Sequence, residues 1–305
     1  MKYFKKTIDV IYIPNTKSKI NIIQISDLHY SKLILEKELN RIIDKIKDLK
    51  PDYITITGDT IDNTKSINNE KKIEIILNFL KSLSSISKVM MSLGNHDFYK
   101  HQNRKIVFSY PEEFWNQVKK IPNLYLLNNE IYKDDKIEFF GYTQPRKYYW
   151  AKQKEEKNIK TMLKDLQDKK DYLKEITVPK IGLIHSPSCI TNNKILEELQ
   201  NFNIILSGHM HNGCVFPIID ELWKSDRGFV SASKKVFPHN CRGKIIKKVD
   251  DKTINIIISG ALTTFSNHAP KILHPFDKLF PYHINQIIIT NDKNELVKRK
   301  HKYYK

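Results

Sequence analysis

Five short clusters of polar residues hold the side chains of this sequence that are best suited to chemistry. In order they are Asp27-Leu28-His29, Gly58-Asp59, Gly94-Asn95-His96-Asp97, His185 and Gly208-His209-Met210-His211. Imidazole, carboxylate and amide groups are ligands for Mn, Fe or Zn. The lack of paired cysteines among them argues against a purely structural zinc site. Any one cluster is uninformative, since histidine serves many roles. Five in order are a different matter. Enough donors are present for two cations about 3.5–4 Å apart, which can share a ligand and a hydroxide and clamp an in-line phosphoryl displacement.

Each cluster directly follows a run of apolar, β-branched residues. The pattern predicts strands over Ile20–Ser26, Tyr53–Thr57, Lys88–Leu93, Lys180–His185 and Asn203–Ser207, nearly continuous in apolar character and therefore covered on both faces. Ligands at the carboxyl ends of strands are what open α/β sheets provide. Glycines precede three of the five clusters, allowing tight turns. Helical spacing recurs between the strands, at Glu36–Leu49, closed by Pro51, at Lys72–Leu83 and at Asn192–Gln200. Another strand is expected within Thr7–Ile13. Two hairpins depart from this rhythm, 131–140 around Asp134-Asp135-Lys136 and 244–259 around Asp250-Asp251-Lys252, and a last strand spans Ile284–Thr290. The expectation is one layered α/β domain over residues 1–305 with a mixed sheet system. Insertions are expected at 147–176 (charged, helix-prone) and at 216–241 (irregular, with Trp223, Phe229 and Phe237 suggesting a packed lid). The basic tail Lys298–Lys305 is expected to fray.

The 305 residues carry 52 Lys and Arg against 34 Asp and Glu, a formal charge of +18. A field of that sign favours anionic partners: a phosphorylated small molecule or lipid-linked substrate, an acidic membrane surface, or nucleic acid. Nucleic acid is the less favoured partner, because the excess is lysine rather than the arginine that forks onto bases and phosphates. Lys-, Ile- and Asn-rich usage also follows from an AT-rich coding bias. No run of 18 apolar residues and no secretory signal is present, so a cytoplasmic protein is expected, with peripheral association at the inner membrane face left open. Three cysteines at 189, 214 and 241 form no disulfide framework.

The five motifs resemble those of the calcineurin-like metallophosphoesterase superfamily over residues 20 to about 215, with a further strand at Asn255–Gly260. Within it the pattern is most similar to bacterial phosphohydrolases related to YkuE and to the UDP-2,3-diacylglucosamine pyrophosphatases. The resemblance implies a four-layer α-β-β-α sandwich with two mixed β-sheets. It implies two transition-metal ions (Mn, Fe or Zn), one held by Asp27, His29 and His211, the other by Asn95, His185 and His209, with Asp59 bridging. The implied reaction is hydrolysis of a phosphomonoester, phosphodiester or pyrophosphate by a metal-bridging hydroxide. His96 would be the non-ligand histidine that assists the leaving oxygen, and Asp97 would orient it through a carboxylate–imidazole bond. Two departures bear on substrate. Cys214 replaces the glutamine of the family's Gly-His-Thr-His-Gly-Gly-Gln run, and Phe140-Gly141-Tyr142-Thr143-Gln144 stands here where relatives commonly carry an Asp after the strand. These relatives often begin with a membrane anchor, which is not expected here.

Lesser candidates are Asp62 as a supporting group or loop cap, and Arg242 as a phosphate-binding guanidinium or a solvent salt bridge. Asn267-His268 is a further candidate for reaching the cleft. A nuclease and a non-catalytic scaffold of the same fold are the alternative functions.

Overall fold

The structure is a computed structural model that describes residues 2–31, 34–102, 105–145, 149, 156–169, 177–188, 190, 192–220, 222–223, 226–230, 236–265, 271–296 and 300–304. Among these residues the strands form two large sheets. The first contains β1 (Phe4–Tyr12), β2 (Ile20–Ile25), β3 (Tyr53–Thr57), β4 (Lys88–Ser92), β7 (Leu124–Leu126), β14 (Tyr282–Thr290) and β15 (Lys300–Tyr304), in the order β15-β1-β14-β2-β3-β4-β7. The second contains β8 (Glu130–Lys133), β9 (Glu138–Tyr142), β10 (Lys180–Ile184), β11 (Ile204–Ser207), β12 (Gly243–Val249) and β13 (Lys252–Ile258), in the order β12-β13-β11-β10-β9-β8. A small hairpin, β5 (Tyr99–Gln102) and β6 (Lys105–Phe108), stands apart.

The central strands β2, β3, β4 and β7 run parallel, as do β9, β10, β11 and β13; β14 is antiparallel to β2 and parallel to β1, β15 is antiparallel to β1, and β8 and β12 are antiparallel edges of the second sheet. Both sheets are therefore mixed. Helices α1 (Glu36–Asp48), α2 (Glu70–Ile86) and α4 (Glu112–Lys119) cover the first sheet. Helices α5 (Glu156–Gln167) and α6 (Asn193–Glu198) cover the second, and the short α3 (Asn95–Phe98) follows β4.

Three apolar cores mark the interfaces between layers. Leu39, Ile42, Ile46 and Leu80 pack with Ile23, Ile54 and Ile56. Met162, Leu166, Ile195 and Leu199 pack with Phe140, Ile205 and Ile256. Ile22, Tyr53, Met90 and Ile287 meet Phe139, Ile181, Leu183 and Leu206 between the sheets. Strands with a covered sheet on one side and helices on the other have no solvent face, which is why they read as continuous apolar runs. The result is the α-β-β-α sandwich expected from the motifs.

One buried polar group crosses the inter-sheet core. Gln24 donates to Thr57 Oγ1 (3.1 Å) and to the Ser207 carbonyl (2.9 Å) and accepts from Asn285 Nδ2 (3.0 Å). Its amide joins β2, β3, β11 and β14, so the two sheets are keyed together beneath the motif loops.

The basic tail is a correction. Rather than fraying, Lys300–Tyr304 pairs antiparallel with β1, setting Tyr304 opposite Phe4, and so covers an otherwise open sheet edge. Of the 147–176 insertion, Tyr149 and α5 are described. Of 216–241, Trp223, Phe229 and Phe237 do pack on one another. Cys189 and Asn267-His268 lie outside the described residues. No described helix is long and apolar enough to cross a membrane.

Candidate metal centre

All five motif clusters converge at one end of the sandwich. Their loops are tied to one another by the backbone: Asp27 N donates to Gly58 O (3.1 Å), His29 N to Asp59 O (2.9 Å) and Gly208 N to His185 O (2.9 Å). The chain turns sharply to do this. Asp27, His29, Asp59, His209 and His211 all have left-handed backbone, with φ of 53°, 46°, 52°, 69° and 48°. Such conformations cost energy for residues other than glycine and persist where surrounding structure enforces them, most often at functional sites.

Three groups of side chains bring donor atoms within 4.8 Å of one another. One is His29, Asp62 and His96; the two built from the strand-end motifs alone are Asp27, His29 and His211, and Asp59, His185 and His209. Asp59 stands between them, its Oδ2 being 3.1 Å from His185 Nε2 and 3.6 Å from His29 Nε2. Asp27 Oδ1 also approaches both groups, at 3.6 Å from His211 Nε2 and 4.0 Å from His185 Nε2.

Backbone carbonyls set the imidazole tautomers. His185 Nδ1 lies 2.7 Å from Thr57 O and His211 Nδ1 lies 2.7 Å from Thr263 O. A carbonyl only accepts, so Nδ1 carries the proton and the Nε2 lone pair faces inward. Asp27 is steadied by His209 N at 3.0 Å. Gln144 clamps the segment after His185, accepting from Ser186 N (2.7 Å) and donating to Ser186 O (3.0 Å). The residue that departs from the family pattern therefore has a positioning role here.

This donor set fits a pair of transition-metal ions. Its oxygen and nitrogen donors, second-layer carbonyls and inward lone pairs are what such ions require. Asn95 Oδ1 is buried and accepts no hydrogen bond, and the buried His185 Nε2 likewise has none. Orphaned buried acceptors are costly unless an ion or another donor completes them. The carboxylates favour positive charge at this position: burial pulls His185 down, but Asp59 and then Asp27 raise it to about 9. Burial would raise Asp59, yet His185, His96 and His29 hold it well below the usual carboxylate range. Burial and then the neighbouring His185 push His209 well down, keeping it a neutral donor.

Two expected roles change. Asp97 does not bond the His96 ring. Its carboxylate accepts from the backbone N–H groups of Gly94, Asp59, Thr60 and Ile61 at 2.8, 2.9, 3.1 and 3.2 Å, pinning two motif loops together. Burial, then the charge of Asp59, raises it to about 7. Asp62 faces the imidazoles instead. Its carbonyl lies 2.7 Å from His96 Nδ1, and its Oδ1 lies 3.5 Å from His29 Nδ1 and 4.0 Å from His96 Nδ1. His96 itself sits edge-on to His29 with ring centroids 4.5 Å apart, beside the ligands and partly exposed.

Arg242 is the second correction. It is buried, with Nη1 on Asp220 Oδ1 and Nη2 on Asp220 O (2.7 Å), and Lys5 Nζ binds the other Asp220 oxygen. The guanidinium anchors the 216–241 segment to β1 and β12 rather than meeting phosphate or solvent. Cys214 and Cys241 belong to neither ligand group, and burial pushes both thiols up, to about 11 and 12. Tyr149 was not foreseen. Its buried ring lies 5.9 Å from that of His185 and 5.6 Å from that of His209. It falls in a charged insertion, where nothing in the local pattern marks it.

Residues 20–213 match the calcineurin-like phosphoesterase family. The chain is 28% identical over 232 residues to an uncharacterized metallophosphoesterase of Campylobacter jejuni, covering 74% of this chain and 52% of that one. It is 25% identical over 233 residues to one from Aquifex aeolicus, covering 73% and 76%. Over 87 residues it is 36% identical to the UDP-2,3-diacylglucosamine pyrophosphatase LpxG of Chlamydia muridarum, covering 28% and 25%. The chain spans about half the length of the first curated relatives it matches. Among solved structures, a dimetal phosphatase from Danio rerio aligns with a TM-score of 0.41 at 11% identity, covering 79% and 87%. With the family matched over most of the chain and its motifs gathered into one paired Asp/His cradle, the chain belongs to the calcineurin-like phosphoesterase family.

Proposed function

We propose that the chain is a dimetal phosphohydrolase that cleaves a phosphate ester or pyrophosphate bond. The observation that carries this is Asp59, whose Oδ2 lies between His29 and His185 and joins two separate ligand groups. Asp27, His29 and His211 would hold one cation, Asn95, His185 and His209 the second, and Asp59 both. Bound there, the two cations would supply an activated water and positive charge for the phosphoryl oxygens. His96 would serve the leaving group. With Nδ1 donating to the Asp62 carbonyl, its Nε2 would deliver a proton to the departing oxygen from the imidazolium form, which burial disfavours and the Asp59 carboxylate favours. The cradle is carried on strand ends and locked by backbone hydrogen bonds, so the ligands need little reorganisation. Positive net charge draws an anionic substrate towards it.

The test is a substrate panel with added manganese, comparing a monoester, a diester, a nucleotide-sugar pyrophosphate and single-stranded DNA. The pyrophosphate belongs in the panel because of the partial similarity to LpxG. Manganese-dependent turnover of at least one phosphate substrate, lost in Asp59→Asn together with bound metal, is the expected result. A wild-type chain that binds two metals per molecule yet turns over nothing would favour a non-catalytic scaffold. Turnover confined to DNA and suppressed steeply by salt would favour a nuclease.

A further inference from the structure

Twelve large apolar side chains stand exposed among the described residues, and eight of them fall in two stretches, 216–237 and 272–279. Leu222 is 88% exposed and Ile272 77%. The nine-residue stretch Lys271–Leu279 contains Ile272, Leu273, Phe276 and Leu279 and buries none of its residues. Concentrating exposed apolar surface this way is unfavourable unless something covers it.

The two stretches form one face. Phe216 packs on Phe280 at 5.4 Å and on Phe229 at 6.3 Å, and Phe229 packs on Trp223 at 4.6 Å. Both are also fastened beside the metal ligand His211. Gly213 O accepts from Phe229 N (2.7 Å) and Val230 N (3.1 Å). The backbones of Gly213 and Gly228 lie so close that a Cβ on either would sit 2.4 Å from the other's Cα. Asp277 Oδ1 accepts from Thr264 N (2.8 Å) and Phe265 N (3.0 Å), next to the Thr263 carbonyl that fixes the His211 ring.

The chemistry of the face selects its partner. Leu222 protrudes from a turn and Ile272 from a short 3-10 helix, each the most exposed apolar residue of its stretch. Asp220 is paired with Lys5 and Arg242 and Asp277 with Lys2, while the part-exposed Asp226 lies 3.1 Å from His239 Nδ1. Arg227, Lys271 and Lys278 flank the apolar residues, on a chain with a net charge of +18. Protruding apolar side chains among cations match the boundary between headgroups and acyl chains of an anionic bilayer. We propose that this face docks the chain onto an anionic lipid membrane, with the metal centre held at its surface. The proposal does not depend on which phosphate bond the metal centre cleaves.

Sedimentation of the 305-residue chain with vesicles tests it, using phosphatidylcholine with and without phosphatidylglycerol. The wild-type chain should sediment with the anionic vesicles, less at high salt and less with phosphatidylcholine alone. Leu222→Glu combined with Ile272→Glu should weaken that binding by at least about tenfold. Both positions are exposed, so melting temperature and any manganese-dependent turnover of a soluble diester should be unchanged, which separates failure of docking from failure of hydrolysis. Wild-type chain left in the supernatant with anionic vesicles overturns the proposal, as does a double variant that sediments like wild type. A wild-type dimer in analytical ultracentrifugation that the double variant dissociates, without vesicle binding, would make the face a self-association surface and likewise overturn it.

Discussion

Replacing Gly94 by alanine drives a methyl group into the ligand cradle. Gly94 links β4 to Asn95, and a Cβ built there lies 2.3 Å from Asp59 Oδ1, 2.5 Å from Asp59 N and 2.8 Å from His185 Nε2. Ordinary contact begins at 3.4 Å, so the Asp59 carboxylate would have to move by about 1 Å. It cannot swing freely, because Oδ1 also accepts from His96 N at 2.8 Å. Metal–ligand distances tolerate about 0.2 Å, and a displacement of about 1 Å costs roughly 10²-fold in turnover. Gly94→Ala should therefore bind metal at least about tenfold more weakly and lose about 10²-fold in any manganese-dependent hydrolysis. Overpacking should lower stability by about 1–3 kcal/mol. Gly182→Ala in β10 is the control, since the nearest atoms its Cβ would meet are those of the Phe202 ring, at 3.3 Å, and Ile205, at 3.6 Å. Metal content by plasma mass spectrometry after dialysis, with melting curves in parallel, reads the difference. A Gly94→Ala protein that keeps two metals per chain and wild-type turnover would refute the proposed placement of Asp59 as the shared ligand.

His96→Ala should lower turnover by about 10²–10⁴-fold while metal content stays at the wild-type level; loss of metal would make His96 a ligand instead. Asp134 offers a pH-dependent test remote from the metal centre. Burial would raise its pKa, but the Tyr53 hydroxyl, the Lys136 amide and the Lys88 ammonium together lower it to about 2. A carboxyl depressed in the folded state stabilises above its unfolded value near 4, and that contribution disappears as pH falls through 2. Melting temperature should thus fall more steeply between pH 4 and 2 in wild type than in Asp134→Asn, and identical slopes would contradict the assignment. Asp220→Ala removes the carboxylate between Lys5 and Arg242 and should cost about 3–5 kcal/mol in urea unfolding; a change of about 0.5 kcal/mol or less would mean the triad is dispensable.

The positions of the clustered Asp, Asn and His donors could be read from the sequence because both of their determinants are local. A β-branched run fixes a strand, and the residue after its end is placed by the strand itself, so Asp27, Asp59, Asn95, His185 and His209 announce their own location. The two long hairpins were also legible, but not that they supply opposite edges of the second sheet, β8 beside β9 and β12 beside β13. The C-terminal strand was hidden for the same reason. Lys298–Lys305 looks solvated until β1, some 290 residues earlier, offers a free edge. Buried charges were the hardest to read. Asp62 and Asp97 are equally plausible partners for His96, being respectively three residues after Asp59 and one residue after His96. What divides them is where backbone N–H groups converge. Four such donors, from the loops after β3 and β4, meet at Asp97 and hold its carboxylate there. Asp62, lying beyond that convergence, turns to the imidazoles. Arg242 follows the same logic, since its partner Asp220 is 22 positions away and Lys5, which shares that carboxylate, is 215 positions from Asp220. A buried charge settles on whichever opposite charge or donor folding brings to it, and that partner is set by sheet topology rather than by spacing.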